Sequence, residues 1–553
     1  MKLLSAAFAD LTRRAVAAAQ AAGDLPAFDL PATLPVNASE SEERGDYATP
    51  AAMQLARLAR MAPRQVAEAI VSHLPAADFV GKVEIAGPGF INFWLNEAWL
   101  AAQVDAIIAE GPAAVGNLDV GGGRKAQVEF VSANPTGPIT IGRSRGAVMG
   151  DTLANLLAAA GYRVEREYYF NNAGRQMQVL GLSLKARYLE MLGEPSALPE
   201  DGYRGDYLRW IAASLVYQHG DALKDADWPV FKEAAEHTIF AHIRNSLRRI
   251  GVVFDVWFNE NSLYESGAVD ALVEALGEKG YAYEADGAIW FRMTQFGGEK
   301  DRVLVKRTGE PTYVTPDIAY HLNKLERGFD LIVDIFGPDH AAQHPVVAAG
   351  VQAMGYDPAP IKVLIHQAVA LVENGEVQRM STRKGQYVTL DELVDEVGRD
   401  AVRYFILAYK PDAHMNFDLE RAKQQSDENP VYTIQYAYVR CRGVERQAAE
   451  AGVTGEGADV RLLTDPRELR LIRKLLELPQ VIAFAVEHLE PHHLPAYALE
   501  LARVFHATYE TVRVLHSETP PDLAKARLRL YMAARAVFER VLTLMGMTTP
   551  ERM

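Results

Sequence analysis

Val131-Ser-Ala-Asn-Pro-Thr-Gly-Pro-Ile-Thr-Ile-Gly-Arg-Ser-Arg-Gly146 is the stretch on which the fold turns. The apolar positions before it, Ala126, Val128 and Phe130, alternate with polar ones and read as a strand. Pro135, Gly137 and Pro138 make a turn. Beyond it an apolar stripe at helical spacing runs through Ile141, Val148, Met149, Leu153, Leu156 and Leu157, with Gly161 as the stop. The order is therefore strand, tight turn, helix, with Gly142, Gly146, Arg143 and Arg145 on the first helical turns. A helix start offers unpaired N–H groups and the positive end of the dipole, which suits a phosphate. Small residues let a nucleotide approach the backbone closely. Glycine serves helix packing equally well, so the unit alone leaves both uses open.

A chain of 553 residues exceeds what one core supports, so several domains are expected. Hydrophobic residues at 49% and charged residues at 23% give the balance of a soluble globular protein. Charge interrupts every apolar stretch before it could span a bilayer, so no membrane is expected. Met1–Asp10 continues into Arg13 and Arg14 without a signal-peptide layout and reads as an amphipathic helix, which fits the cytoplasm. The single cysteine, Cys441, excludes an internal disulfide and a cysteine-rich zinc site, and no metal-ligating set is expected. It is most simply a small buried apolar residue. The formal net charge of −15 argues against nucleic acid as a partner of the whole surface, but local patches set phosphate binding.

Four regions follow from the pattern. Residues 1–115 hold helices around Ala48–Leu58 and Arg64–Leu74 and strands at Val83–Ile85 and Phe90–Trp94 joined by a Pro88-Gly89 turn, a small α+β module. Residues 122–400 alternate strands and helices, as in a parallel sheet with crossover helices. Within them about 183–290 breaks the rhythm and reads as an insertion. Asp330–Phe336 then resumes it and runs into Gly337-Pro-Asp-His340. Ligands in such sheets sit at the carboxyl ends of the strands. Residues 401–428 read as a short helical connector. Residues 429–553 read as a helical bundle with helices over Leu462–Ala483, Pro495–Leu515 and Pro521–Leu544.

Gln378-Arg-Met-Ser-Thr-Arg-Lys-Gly385 concentrates Arg379, Arg383 and Lys384 beside a glycine, either a polyphosphate grip or a solvated basic loop. Thr389 and Glu392 then form a capping box. Acids and polar groups gather at strand ends, where such sheets bind ligands: Glu129 and Asn134 flank the first turn, Tyr313 and Asp317 lie four apart near a helix start at Pro316, and Asp339 and His340 follow the later strand. Each also has an ordinary use, Asp317 as a first-turn helix acid for example. Tyr432, Tyr436 and Arg440 recur one helical turn apart, either core or a base-stacking face.

Ser132–Pro138, Gly142, Arg145-Gly-Ala147, Arg166-Glu-Tyr-Tyr-Phe-Asn-Asn-Ala-Gly174, the basic loop with Val388–Leu393, and Asn429–Arg440 closely resemble the arginyl-tRNA synthetases, a class I family. The resemblance covers nearly the whole chain in order. It departs where the His-Ile-Gly-His signature has become Thr140-Ile-Gly-Arg143, and where Arg379 and Thr382 replace the lysines of the Lys-Met-Ser-Lys loop. The fold implied is a Rossmann-like catalytic domain with an insertion, an N-terminal α+β domain contacting the outer corner of tRNA, and a C-terminal helical anticodon-binding bundle. The activity implied is ATP-dependent attachment of L-arginine to its tRNA through arginyl-adenylate, with Mg²⁺ accompanying ATP, in a monomer. By this resemblance the catalytic residues are Thr140, Gly142, Arg143, Arg379, Ser381 and Lys384. ATP would meet Pro135, Thr136, Gly137, Thr140, Gly142, Arg143, Met380 and Ser381. Arginine would meet Glu129, Ser132, Asn134, Tyr313, Asp317 and Asp339, with the roles of His321 and Gln343 open. The tRNA would meet Tyr432, Tyr436, Arg440 and Met553. The altered signature also suggests a rival, a catalytically weak paralogue that binds RNA as a regulator.

Overall fold

A computed structural model of the chain describes residues 3–39, 41–340, 343–373, 376–378, 388–426 and 428–553. Its centre is a parallel sheet of five strands: β1 (Lys125–Glu129), β2 (Arg163–Phe170), β3 (Val256–Asn259), β4 (Leu331–Phe336) and β5 (Ile361–Ile365). They lie in the order β5-β4-β1-β2-β3, all parallel. The chain leaves β1 to one side, returns, and builds the other side from β4 outward, so the order reverses at β1. A crevice opens at that point. Buried on both faces, β4 is an unbroken apolar run save for Asp334.

Helix α1 (Ile141–Ala159) joins β1 to β2 and is buried almost all round. Its Gly150 lies against Phe130, where an added methyl would come within 2.3 Å of the ring. Helices Gly174–Met191, Tyr207–His219 and Trp228–Arg249 separate β2 from β3. Between β3 and β4 come Ala268–Glu278, a three-stranded antiparallel sheet over 282–305, and α2 (Val314–Glu326). The expected insertion over about 183–290 contains one strand of the main sheet. Val256–Asn259 pairs with Glu167–Phe170 as the edge of the main sheet, and the piece outside that sheet begins after it.

The segment 401–428 also differs from a wholly helical connector. Helix Leu390–Leu407, kinked at Gly398, ends early in it, and Met415–Asp418 is a strand paired in parallel with Val369–Val372. At the N-terminus, helix Leu4–Ala22 buries Phe8, Leu11, Ala15 and Val16 over a four-stranded sheet that includes Val80–Ala86 and Phe90–Leu95. Helix Glu97–Glu110 leads out of this module and lies along the C-terminal helices, with Asp105 paired to Arg529 at 2.5 Å. In the C-terminal bundle Pro430–Glu450, His493–Thr511 and Pro521–Leu544 are continuous helices, and Cys441 is fully buried. The span 462–483 divides into Pro466–Leu476 and Leu478–His488, because Pro479 lacks the N–H a continuous helix would need.

Candidate active site

At the end of β1 the backbone takes an uncommon path. Val131 and Ser132 both have left-handed φ, at 68° and 40°, strain of about 1–3 kcal/mol each that surrounding structure must hold. The reversal brings Ser132 Oγ back to donate to Glu129 Oε1 at 2.9 Å while it accepts the Tyr169 N–H at 3.2 Å. Asn134 accepts the Asn171 N–H at 3.0 Å and donates to Gln176 Oε1 at 3.0 Å. The hydroxyls of Tyr168 and Tyr207 donate to the carbonyls of Ala133 and Thr136 at 2.8 and 2.5 Å. The turn is thus tied to β2 and to helix Tyr207–His219.

Helix α1 begins directly after it, but most of its first N–H groups already have partners. Ile141 donates to the Val388 carbonyl at 3.1 Å, and Arg143 and Ser144 donate to the Thr140 carbonyl at 3.0 and 3.1 Å. Gly142 N–H has no partner among the described residues, and of these only Thr140 Oγ1, at 3.9 Å, approaches the place of its missing side chain. Leu390 in turn donates to the Ile139 carbonyl at 2.8 Å. The turn is therefore laced to the segment where the second basic loop ends. There Thr389 and Glu392 form the expected capping box. The loop itself, with Arg379, Met380, Ser381 and Lys384, lies outside the described residues.

The two arginines of the motif part company. Arg145 is fully buried and donates to the carbonyls of Gln367, Ala413 and Lys410 at 2.7–2.8 Å, so it braces backbone. Arg143 is exposed and lines the mouth of a cavity of about 300 Å³ at the carboxyl ends of β1, β2 and β4. Glu129, Ser132, Asn134, Tyr313 and Asp317 line the same cavity. Pro135, Thr136, Gly137, Thr140 and Gly142 lie beyond its edge along the turn. Asp339 lies in the short 3-10 turn Pro338–His340, exposed and away from the cavity lining. Glu260, Tyr169, Asn171, Tyr320, Asp334 and His366 complete the wall, and sequence reasoning singles out none of them.

Electrostatics divides this wall. Lys324, fully buried on α2, donates to Glu129 Oε2 and to Asp334 Oδ1, both at 2.6 Å. His321 Nε2 lies 2.8 Å from Asp334 Oδ2. Burial pushes Asp334 up, yet Lys324 and His321 overcome it and hold the carboxyl well below its ordinary value. For Glu129, burial outweighs the same lysine and the shift is upward. Glu167, beside Glu129 on β2, accepts from Tyr320 at 2.5 Å and from Arg327.

Among the described residues no cation is bonded to the carboxylates of the other side. Asp317 accepts no side-chain hydrogen bond among the described residues. Burial raises it to about 7, with Glu260 and Glu129 adding to the shift and His321 and Lys324 only partly offsetting it. Glu260 accepts from Tyr169 Oη at 2.7 Å and Asn171 Nδ2 at 2.8 Å, both neutral, and burial raises its carboxyl too. Two carboxylates facing one small cavity, with Arg143 at its mouth and no cation bonded to either among the described residues, favour a positively charged guest. A planar guanidinium can engage both at once. Across the cavity His366, at the end of β5, is pushed down to about 4 by burial, with Arg145 and Arg143 adding, so it is neutral. Gly146 makes room for it: a methyl there would lie 3.3 Å from His366 Nε2.

The tyrosine candidates lie far along the chain on helix Pro430–Glu450. The rings of Tyr432 and Tyr436 lie 5.6 Å apart and 26° from parallel. The Arg440 guanidinium lies between Tyr436 and Tyr509, at 4.3 and 4.6 Å from their centroids, and donates to His506 Nδ1 at 3.0 Å. Met553 is exposed.

Comparison with known proteins agrees in three successive segments. Residues 7–95 match the family described as arginyl tRNA synthetase N terminal domain, 104–437 the class I (R) tRNA synthetase catalytic domain, and 434–553 the DALR anticodon binding domain. The chain is 46% identical over 559 residues to an arginine–tRNA ligase of Moorella thermoacetica, covering 100% of this chain and 98% of that one. It is 46% identical over 543 residues to an arginine–tRNA ligase of Heliobacterium modesticaldum, covering 96% and 95%. A solved structure described as a putative arginyl-tRNA synthetase from Campylobacter jejuni superposes with TM-score 0.75 at 31% identity, covering 83% of this chain and all of that one. The arginyl-tRNA synthetase of Thermus thermophilus gives TM-score 0.78 over both whole chains at 21% identity, a likeness of fold.

Proposed function

The chain belongs to the arginine–tRNA ligases, class I synthetases that use ATP to join arginine to tRNA, and on that premise we propose how its residues divide the work. Asp317 and Glu260 take the guanidinium of L-arginine, with Tyr313 at the cavity mouth. Glu129, Ser132 and Asn134 take the α-amino and carboxylate end. That placement turns the arginine carboxylate toward the turn, where ATP enters as its Mg²⁺ complex. The carboxylate oxygen attacks the α-phosphorus, the bond to the β-phosphate oxygen breaks, and pyrophosphate leaves. A terminal ribose hydroxyl of the tRNA then attacks the arginyl carbonyl, and AMP leaves.

On the phosphate side, Pro135, Thr136 and Gly137 shape the turn and Gly142 N–H donates to ATP. Arg143 and the Thr140 hydroxyl replace the histidines of the family signature. Arg143 stays charged at any working pH and can follow negative charge as it moves onto pyrophosphate. Arg379, Ser381 and Lys384 would grip the polyphosphate from the opposite side, with Met380 against ATP. The first 115 residues contact the outer corner of the tRNA. Residues 429–553 read the anticodon through Tyr432, Tyr436 and Arg440, with Met553 close by. Asp339 has least support, being outside the cavity wall. The protein works as a cytoplasmic monomer, a reading compatible with the lack of any described helix long and apolar enough to cross a membrane.

One observation carries this reading: Asp317 and Glu260 face the cavity with no cation bonded to either among the described residues. Arginine-dependent exchange of pyrophosphate into ATP, with and without cognate tRNA, tests it. Exchange with arginine and not lysine is expected, because a planar guanidinium holds a carboxylate through two parallel N–H bonds, which the single ammonium of lysine does not. No exchange even with tRNA would instead favour an RNA-binding regulator that has lost catalysis.

A further inference from the structure

Between the C-terminal helices Leu478–His488 and His493–Thr511 the chain reverses through Leu489-Glu-Pro-His492. Leu489 takes a left-handed φ of 56°, and Glu490 N–H donates back to the Ala485 carbonyl at 2.9 Å. Pro491 fixes its own φ, and the next helix starts at once. The turn is so tight that Glu490, His492 and His493 each place one ligating atom within 4.8 Å of the others. Glu490 Oε2 lies 2.8 Å from His493 Nε2 and 4.0 Å from His492 Nε2, and the two ring centroids are 4.2 Å apart.

His492 separates this cluster from an ordinary surface ion pair. Its side chain is only 10% exposed, yet neither ring nitrogen has a hydrogen-bond partner among the described residues. Nδ1 is buried without one, and Nε2 faces Glu490 from beyond hydrogen-bond reach. A polar atom buried in this way has lost its water and gained nothing in return. Burial, with the His493 ring adding, holds His492 below its ordinary value, so the imidazole is neutral and keeps a lone pair to donate. The spacing suits a metal as well. A tetrahedral ion with bonds of about 2.0–2.1 Å sets its ligand atoms about 3.4 Å apart. The separations of 2.8 and 4.0 Å lie on either side of that value, so shifts well under an ångström bring both to it.

Two imidazoles and a carboxylate select a borderline first-row ion, Zn²⁺ ahead of Mg²⁺ or Ca²⁺, which prefer oxygen alone. No cysteine is needed. The start of helix His493–Thr511 and Lys410 oppose a cation here. Glu490, lowered chiefly by its hydrogen bond with His493, and Asp412 act the other way. Lys410 gives its carbonyl to Arg145 of α1, so the cluster sits where the bundle meets the catalytic domain. None of the three residues lines the substrate cavity.

We propose that Glu490, His492 and His493 bind one Zn²⁺ ion, with water as the fourth ligand, and that the ion fastens this turn of the bundle without taking part in aminoacylation. The test titrates full-length protein, freed of metal by chelation and dialysis, with Zn²⁺ against a chromophoric chelator, and separately with Co²⁺ read by its visible absorption. Wild type holds one equivalent of Zn²⁺ that excess Mg²⁺ does not displace, and Co²⁺ shows the intense bands of a four-coordinate site. Zn²⁺ raises the melting temperature, as a ligand of the folded state must. Glu490→Gln and His493→Ala each weaken the equivalent by more than about a hundredfold, beyond what loss of an outer-shell partner costs. Both erase the Zn²⁺-dependent rise in melting temperature. Both still charge tRNA with arginine at the wild-type rate without added Zn²⁺, which shows the fold intact. If His493→Ala fails to fold, Glu490→Gln decides alone. An equivalent retained at wild-type affinity in the folded variants overturns the proposal, as does a wild type that holds Zn²⁺ no more tightly than Mg²⁺.

Discussion

Two walls of one cavity hold carboxylates under opposite conditions. On the floor, Glu129 and Asp334 share the buried ammonium of Lys324, and His321 completes the set. On the flank, Asp317 and Glu260 have neutral partners or none. Buried charge is tolerable when paired and costly when not. The floor is therefore closed by the protein's own cation, and the flank is left without one among the described residues. The difference teaches that acidic residues near a site are informative only once their cations have been counted.

The sharpest way to break this contrast is to remove the shared cation. Lys324→Met leaves Glu129 and Asp334 buried and unpaired, and should lower stability by about 3–5 kcal/mol in urea unfolding. A loss below about 1 kcal/mol would show that the floor does not depend on the lysine. Arg143, at the cavity mouth, pairs with none of these carboxylates among the described residues and donates to the Val131 carbonyl at 3.4 Å. Arg143→Ala should slow adenylate formation about ten- to a thousandfold in single-turnover assays while changing ATP affinity much less, because the donor acts on developing charge. Its stability should stay within about 0.5 kcal/mol of wild type.

On the flank the expectation reverses. Asp317→Asn should lower kcat/KM for arginine by about 1.5–3 kcal/mol, the worth of a charge-assisted hydrogen bond. It should not reduce stability of the ligand-free protein, because the substitution deletes an unpaired buried charge. Unchanged kinetics would take Asp317 out of the binding set.

The mildest test is pH. With Asp317 raised to about 7 in the empty site, its neutral form is favoured by the fold. That contribution to stability is full below the unfolded value near 4 and is lost as pH rises through 7. Arginine requires the ionised form, so its affinity should be level above pH 7 and fall up to tenfold per pH unit below it, about 1.4 kcal/mol per unit. Thermal melts with and without arginine from pH 5.5 to 8.5 measure this directly. A flat arginine response across that range would mean Asp317 titrates elsewhere.

Much of the scaffold was legible locally. Alternation before Phe130 and the stripe after Ile141 correspond to Lys125–Glu129 and Ile141–Ala159. Thr389 with Glu392 caps its helix as the spacing suggests. Other features were not legible. Val256–Asn259 is only four residues long, and its partner is Glu167–Phe170 nearly ninety residues earlier, so Glu260 at its end carries no local mark of a site. Arg143 and Arg145 look alike in sequence. Only the packing of Gln367, Lys410 and Ala413 around α1 makes one a brace and leaves the other at the cavity mouth. Asp339 follows a strand end as a ligand would, yet the chain turns it outward.

What the sequence determined by itself is the set of elements and the motif text, because side-chain periodicity, caps and turn residues act over a few positions. What only the tertiary structure decided is which charges meet. Lys324 lies ten residues from Asp334 and 195 from Glu129, and donates to both at the same distance. Desolvation and Coulomb energy depend on separation and burial in space, not on position along the chain. The same charged residues, equally visible in the text, become a closed floor and an open flank only when the strands β1, β2 and β4 bring their ends together.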